Sequence, residues 1–290
     1  MDEGGLDSNG KVYASREDMW KEEAGSGVAE SPKRKEWYQK GISYWEGVDP
    51  TVDGVLGGFG KVSNRDVIDS NAFLTELLKE RILPTKDNRK LVALDCGAGV
   101  GRITENLLLR HFHEVDLVEP VRHFLDATKK RLTSDVPENV QHKAVNFFCT
   151  PLQEFTPEPH RYDVIWVQWC IGHLTDDDFV AFFRRADIGL KPGGFFVLKE
   201  NIARHGFVVD KLDSSVTRSD AYFRDLFLRA GFHLLKTKLQ KGFPRELFGV
   251  RMYALSSVLQ ETAAPSSASK DVRASKGVAR LKPRTSKRCN

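Results

Sequence analysis

Val92-Ala93-Leu94-Asp95-Cys96-Gly97-Ala98-Gly99-Val100-Gly101-Arg102 decides the fold of this 290-residue chain. Apolar and small residues run into an aspartate, and glycines then fall at alternate positions, Gly97, Gly99 and Gly101. Ile103-Thr104-Glu105-Asn106-Leu107-Leu108-Leu109 follows with apolar residues at helical spacing. The pattern predicts a strand, a tight glycine loop and a helix. Glycine carries no Cβ, so the loop backbone can take positive φ and press against a ligand. It opens into a helix N-terminus, whose free N–H groups favour an anionic or electron-rich group.

The spacing Gly-x-Gly-x-Gly after Asp-Cys differs from the dinucleotide fingerprint Gly-x-Gly-x-x-Gly. It resembles the first motif of class I S-adenosylmethionine-dependent methyltransferases. An acid about 20 residues further on holds ribose hydroxyls in such folds. Glu119 sits there, ending Glu114-Val115-Asp116-Leu117-Val118-Glu119.

Working outward, Leu91–Asp95 predicts a first strand, 102–111 a helix, Val115–Glu119 a second strand and 121–132 a helix. A third strand lies near 145–149. Tyr162-Asp163-Val164-Ile165-Trp166-Val167-Gln168-Trp169 is a nearly continuous apolar run, as a strand covered on both faces should be. A helix over 176–190 starts from Thr175 as its cap. Lys191-Pro192-Gly193-Gly194 turns into strand 195–200, and helix 220–230 with strands 234–239 and 250–256 closes the domain. The alternation implies an open, mostly parallel seven-stranded α/β sheet with helices on both faces, a Rossmann-like class I methyltransferase fold. Ligands bind beyond the carboxyl ends of such strands.

Before this domain (90–259), residues 1–35 read as a flexible extension with a short helix near 16–23. Residues 36–89 read as a helical substrate-binding or lid segment. Trp37, Tyr38, Ile42 and Trp45 share a face of helix 36–46, and the glycine-rich stretch 48–60 forms an ordered loop. Helix 64–81 buries Val67, Ile68, Phe73, Leu74, Leu77 and Leu78. After Leu259 the composition turns to Ala, Ser, Pro, Lys and Arg, which implies a disordered basic tail.

The net charge is +4, but residues 260–290 hold eight Lys/Arg and two Asp/Glu, a surplus of six, so the rest carries −2. The body therefore lacks the positive surface of a phosphate binder. Leu281–Arg288 has the composition of a nuclear-localisation signal or a nucleic-acid contact, and equally of a solvated basic tail. Nothing in the sequence supports nucleic-acid binding beyond that. The reading places the protein in the cytoplasm, with the nucleus as a second site. It expects no secretory signal, no membrane span and no metal. Of the cysteines, Cys96, Cys149 and Cys170 lie in apolar surroundings and read as buried thiols, and Cys289 lies in the tail.

Further motifs sit where a methyl acceptor should lie. Trp166-Val167-Gln168-Trp169-Cys170-Ile171-Gly172-His173-Leu174 and Glu200-Asn201 end adjacent strands, and Asp210-Lys211-Leu212-Asp213-Ser214-Ser215 follows. With Tyr44-Trp45, Asp53-Gly54-Val55-Leu56-Gly57-Gly58 and the glycine loop, they resemble the protein N-terminal methyltransferases over roughly residues 44–255. That family methylates the α-amino group of proteins beginning Xaa-Pro-Lys once the initiator Met is gone.

The resemblance implies S-adenosylmethionine bound by Gly97, Gly99, Arg102, Glu119, Pro120, Val121, Leu152, Gln153 and Gln168. Arg102 would pair with the methionyl carboxylate, Glu119 would hold the ribose and Leu152 and Gln153 would border the adenine. Trp169 would stack on the substrate proline. Trp45, Leu56 and Gly57 would line the entry channel, and Asn201 would fix the substrate backbone. Asp210 and Asp213 would attract a cationic third residue, Lys or Arg, and the α-ammonium itself, with Ser215 supporting the pocket. Asp213 and His173 would accept the amine proton, their shares undivided. Where the family often has tyrosine this chain has Phe248, one hydroxyl fewer. The competing readings are a small-molecule or other protein methyltransferase on the same cofactor fold, a nicotinamide oxidoreductase, which the glycine spacing disfavours, and a non-catalytic adaptor.

Overall fold

Val164 and Trp166 point to one side of their strand and Ile165 and Val167 to the other, and all are fully buried. Each side meets its own helical layer, so the strand's two-residue period sorts its side chains into two cores. In a computed structural model, residues 4–25, 31–82, 89–134 and 141–257 are described; they belong to one compact unit.

The chain runs β1 (Gly5–Asp7), β2 (Val12–Tyr13), α1 (Arg16–Glu23), α2 (Pro32–Glu46), α3 (Val52–Val55) and α4 (Ser63–Arg81). Next come β3 (Val92–Cys96), α5 (Arg102–Asn106), β4 (Glu114–Val118), α6 (Arg122–Thr133), β5 (Lys143–Phe148) and β6 (Tyr162–Gln168). The last elements are α7 (Asp176–Asp187), β7 (Leu190–Ile202), β8 (Phe207–Asp210), β9 (Ser215–Arg218), α8 (Asp220–Ala230), β10 (His233–Leu239) and β11 (Gly249–Ser256). The large sheet has seven strands in the order β10-β11-β7-β6-β3-β4-β5. β3 to β7 are parallel; at one edge β11 runs antiparallel to β7 and β10 antiparallel to β11, so β11 alone opposes the direction of the other six strands. The strand order reverses between β3 and β6, which places the ligand crevice at their carboxyl ends.

One core joins Ile165, Val167, Phe196 and Leu198 to Phe179, Phe182 and Phe183 of α7 and Phe223, Leu226 and Phe227 of α8. The other joins Val164, Trp166, Phe195 and Val197 to Phe73, Leu74, Leu77 and Leu78 of α4. Caps set the helix starts: Thr175 accepts from the Asp178 N–H, and Ser219 from the Tyr222 N–H. Such caps contribute about 1 kcal/mol each. The predicted helix over 102–111 is shorter, continuing from Asn106 only as a 3-10 turn, Leu108–Arg110.

Two expectations need correction. Residues 4–25 are not a loose extension. β1 and β2 join β8 and β9 in a second, four-stranded sheet of order β2-β1-β8-β9, and Met19 of α1 is fully buried. Asp7 Oδ1 accepts from the Asn9 and Lys11 N–H groups at 2.9 Å each and closes the β1–β2 turn. On α4, Ile68 is 49% exposed, because it lies off the stripe that Phe73, Leu74, Leu77 and Leu78 bury. Two smaller differences concern packing and the loop at 48–60. Cys149 and Cys170 are half-buried, unlike Cys96. The glycine-rich stretch contains a single helical turn, α3, capped by Thr51. The basic run Leu281–Arg288 and Cys289 lie outside the described residues. Among the described residues, no helix is long and apolar enough to cross a membrane.

Candidate active site

Three glycines with positive φ, Gly97 (65°), Gly99 (53°) and Gly101 (69°), turn the chain from β3 into α5. The space is specific at two of them. A Cβ on Gly97 would stand 2.4 Å from Cys170 Cβ, and one on Gly101 would stand 2.4 Å from Thr128 Cγ2. On Gly99 it would meet only Val55, at 3.7 Å, so this glycine leaves its face open to the crevice.

That crevice is a cavity of about 1090 Å³ with its mouth included. Of the expected site residues, Gly97, Gly99, Arg102, Glu119, Pro120, Val121, Leu152, Gln153, Gln168, Trp45, Leu56, Trp169 and His173 line it. Gly57, Asn201, Asp210, Asp213 and Ser215 do not. Gly57 turns at φ 58° with open space around it. Asn201 lies at the end of β7, opposite Val250. Asp210, Asp213 and Ser215 belong to the β8–β9 hairpin, which meets the cavity wall at His173.

Arg102 is held from behind. Its Nη1 lies 2.6 Å from Asp66 Oδ2, and Lys199 Nζ lies 2.5 Å from Asp66 Oδ1. Gln168 Nε2 donates to both oxygens of the same carboxylate, at 2.9 and 3.0 Å. Burial works to raise the Asp66 carboxyl, but Lys199 and Arg102 outweigh it and hold it below its ordinary value. Nearby Asp69 has its own partner in Arg65, at 3.6 Å. One carboxylate therefore anchors two buried cations, and Arg102, which also feels the nearby Asp95 carboxylate, stands beside the cavity. The Asp66 side chain is fully buried, a carboxylate that helical patterning would assign to a solvated face.

Acids gather on the other side. Glu119 accepts from the Gly99 N–H at 2.8 Å and the Val121 N–H at 2.9 Å, and burial pushes its carboxyl up to about 7 against those bonds. Asp95 accepts from Thr104 Oγ1 at 2.6 Å and is pushed up to about 6 by burial. Glu200, behind the acceptor rim, receives the Ile171 and Asn201 N–H groups and stands at about 7 for the same reason.

S-adenosylmethionine fits this donor set. The Arg102 guanidinium suits the methionyl carboxylate, Glu119 suits ribose hydroxyls, and Pro120, Val121, Phe124 and Leu152 form an apolar wall for the base. Gly99 leaves room where a side chain would stand.

The acceptor rim is built from β6, α2 and the hairpin. Trp169 follows β6 with φ 53°, an unusual conformation for a tryptophan. Its ring lies 5.4 Å from the Arg102 guanidinium and 6.4 Å from the Phe243 ring. Its Nε1 is buried without a hydrogen-bond partner. From α2, Trp37 Nε1 donates to the His173 carbonyl at 2.7 Å, and Tyr38 hydroxyl accepts from the Thr175 N–H at 3.2 Å. Arg34 Nε donates to Asp178 at 2.9 Å. Trp45 Nε1 donates to His173 Nε2 at 3.1 Å, and His173 Nδ1 lies 3.1 Å from the Ser214 carbonyl. Asp213 Oδ1 is buried without a partner. Burial raises the Asp213 carboxyl, against the pull of His173 and a Ser215 hydrogen bond.

Sequence reasoning did not single out Asp66, Asp95, Trp37 or Tyr38 as site residues. Nor did it see that the amino-terminal strands brace the hairpin. β1 pairs in parallel with β8, Gly5 opposite Phe207 and Asp7 opposite Val209. The Lys211 N–H donates to Ser8 Oγ at 3.1 Å, and Lys211 Nζ pairs with Glu23 at 2.5 Å. The turn chemistry of Asp7-Ser8-Asn9-Gly10 was the readable signal. Deleting residues 1–13 is therefore expected to raise the peptide KM severalfold while S-adenosylhomocysteine affinity stays unchanged. Steady-state kinetics with calorimetric titration checks this.

A glycine loop at the switch point, a ribose-type acid one strand over and an arginine beside the crevice define a class I S-adenosylmethionine-dependent methyltransferase. A family model described as AdoMet-dependent proline di-methyltransferase matches residues 33–256. The chain is 60% identical over 257 residues to an alpha N-terminal protein methyltransferase 1 of Arabidopsis thaliana, covering 88% of this chain and 92% of that one. It is 42% identical over 220 residues to the N-terminal Xaa-Pro-Lys N-methyltransferase 1-A of Xenopus laevis, covering 76% and 95%. A solved S-adenosylmethionine-dependent methyltransferase of Leishmania major superposes with a TM-score of 0.77 at 39% identity, covering 88% and 97%. The chain belongs to the family of S-adenosylmethionine-dependent N-terminal protein methyltransferases. The match begins at residue 33, so the likeness reaches further back than residue 44 and takes in nearly all of α2.

Proposed function

We propose that this chain methylates the exposed α-amino group of proteins whose mature sequence begins Xaa-Pro-Lys or Xaa-Pro-Arg, giving mono-, di- or trimethylated ends. One observation carries the reading. The Trp169 ring, carried on a left-handed backbone, stands 5.4 Å from the Arg102 guanidinium, while Asp213 offers a buried oxygen without a partner on the adjoining hairpin.

When bound, S-adenosylmethionine supplies an electrophilic methyl group on a sulfonium sulfur. The chain's own residues do the rest. Arg102, Glu119 and the glycine loop hold the cofactor in place. Trp169 offers a flat face to a proline ring, and its Nε1–H is an unused donor for a substrate carbonyl. Asp210 on the exposed side of the hairpin suits a cationic third residue. Asp213 and His173 together stand to take the amine proton, and holding the free amine in line supplies much of the rate. An α-amino group titrates at about 7.7–8.0 against about 10.4 for lysine, a difference of about 2.5 units or 3.4 kcal/mol. That favours a terminus over a lysine side chain as the acceptor.

A peptide panel tests the specificity. Ser-Pro-Lys-Arg should gain methyl groups, and replacing the proline by alanine or the lysine by glutamate should lower kcat/KM at least tenfold. Equal rates across the panel would point to an enzyme that does not read a protein terminus. For location the proposal is the cytoplasm, with nuclear entry directed by Leu281–Arg288. Imaging a chain lacking residues 263–290 tests it, and unchanged nuclear signal would refute it.

A further inference from the structure

Both ring nitrogens of His173 are spoken for. Trp45 Nε1 can only donate, and it reaches His173 Nε2 at 3.1 Å with the rings nearly perpendicular at 87°. The Ser214 carbonyl can only accept, and it lies 3.1 Å from His173 Nδ1. The two partners together permit one arrangement: a neutral imidazole, protonated at Nδ1 and bare at Nε2. The surrounding packing leaves the ring little freedom. A Cβ on Gly41 of α2 would lie 3.3 Å from His173 Nδ1 and 3.1 Å from the Asp213 carbonyl. Trp37, on the same helix, holds the His173 carbonyl at 2.7 Å.

With its Nε2 lone pair engaged, His173 has none to offer an incoming amine. Asp213 Oδ1 has no partner and is buried. Resting on the reading of this site as one that receives an α-amino group, we infer that Trp45 is a positioning residue. Its indole N–H holds His173 in the neutral Nδ1–H form, which assigns proton acceptance to Asp213. In taking the proton, Asp213 becomes a neutral carboxylic acid and the ammonium a neutral amine. His173 keeps its single proton throughout and serves to orient the Ser214 turn beside that carboxylate. The helix carrying Trp45 thereby reports its own docking to the proton acceptor: if α2 lifts, His173 loses the bond that defines its tautomer.

The test uses the full chain labelled with nitrogen-15 in histidine, with no substrate present. The His173 signals are identified by their loss in His173→Gln. The wild-type chain should show Nδ1 protonated and Nε2 bare. Trp45→Phe keeps the ring and removes the N–H; it should bring His173 to a mixture of both tautomers. It should also lower kcat about three- to tenfold, the rate equivalent of one hydrogen bond, with the peptide KM within about twofold. A wild-type His173 protonated at Nε2 would overturn the inference, and so would an unchanged tautomer in Trp45→Phe. A raised KM with kcat intact would overturn it too, leaving Trp45 as a channel wall only. Because the tautomer is read without substrate, its outcome is separate from whether the peptides are methylated.

Discussion

Asp213→Asn is expected to lower kcat for peptide methylation by about 10²–10⁴-fold, the usual contribution of a positioned proton acceptor. S-adenosylhomocysteine affinity should not change, because Asp213 does not line the cofactor cavity. The substitution keeps the shape and removes the charge. Its pH dependence has a definite sign. Asp213 must be ionised to accept a proton, and burial raises its carboxyl. Activity should therefore fall, as the pH is lowered, before ordinary carboxylates titrate. The negative charge of Asp210 pushes in the same direction. Asp210→Asn should accordingly move the acid limb of kcat/KM to lower pH while weakening selection for a basic third residue. Pre-steady-state rates against pH for the wild-type and both variants check these points.

Asp66→Ala carries the second large effect, on stability and cofactor binding together. Asp66 is the carboxylate between Arg102 and Lys199, at 2.6 and 2.5 Å, and its side chain is fully buried. Its removal leaves two buried cations facing each other. Lys199 retains only the Ser70 hydroxyl, the Asp66 carbonyl and the Gln240 amide oxygen. Breaking a buried pair on one side costs about 3–5 kcal/mol, or about 6–20 °C in Tm for a domain of this size. Arg102 and Gln168 lose their common anchor, so S-adenosylhomocysteine affinity should fall as well. Linkage gives a further sign. The folded Asp66 value lies below the unfolded one, so this contribution is complete above the unfolded pKa and is lost as the pH falls through the folded value. Calorimetric unfolding and ligand titration test both parts; a variant as stable as the wild type, with unaltered affinity, would refute the network's role.

The reach of sequence reasoning can be traced to particular residues. β6 was legible because a strand covered on both faces needs apolar side chains in both directions, and Val164–Val167 supply them. Helix 220–230 was placed from the sequence, and the structure shows what bounds it, Ser219 as its cap and Gly231 as its left-handed stop. β1 and β2 are three and two residues long, too short for any alternation to register. The pairing of β1 with β8 comes from residues some 200 positions away. In the site, Arg102, Glu119 and Trp169 stood on motifs that carry their own spacing. Asp66 did not, because a lone carboxylate on a helix acquires meaning only when tertiary packing sets two cations against it. The bond between Trp45 and His173 is of the same kind: both residues were singled out, but only the docking of α2 joins them.

The most direct test of the account is fragmentation mass spectrometry of an Ala-Pro-Lys peptide after incubation with this protein and S-adenosylmethionine. The account predicts every added methyl on the α-amino nitrogen, none on the lysine side chain, and no reaction of the same peptide acetylated at its terminus. Methylation of the lysine, or of the acetylated peptide at a comparable rate, would contradict it.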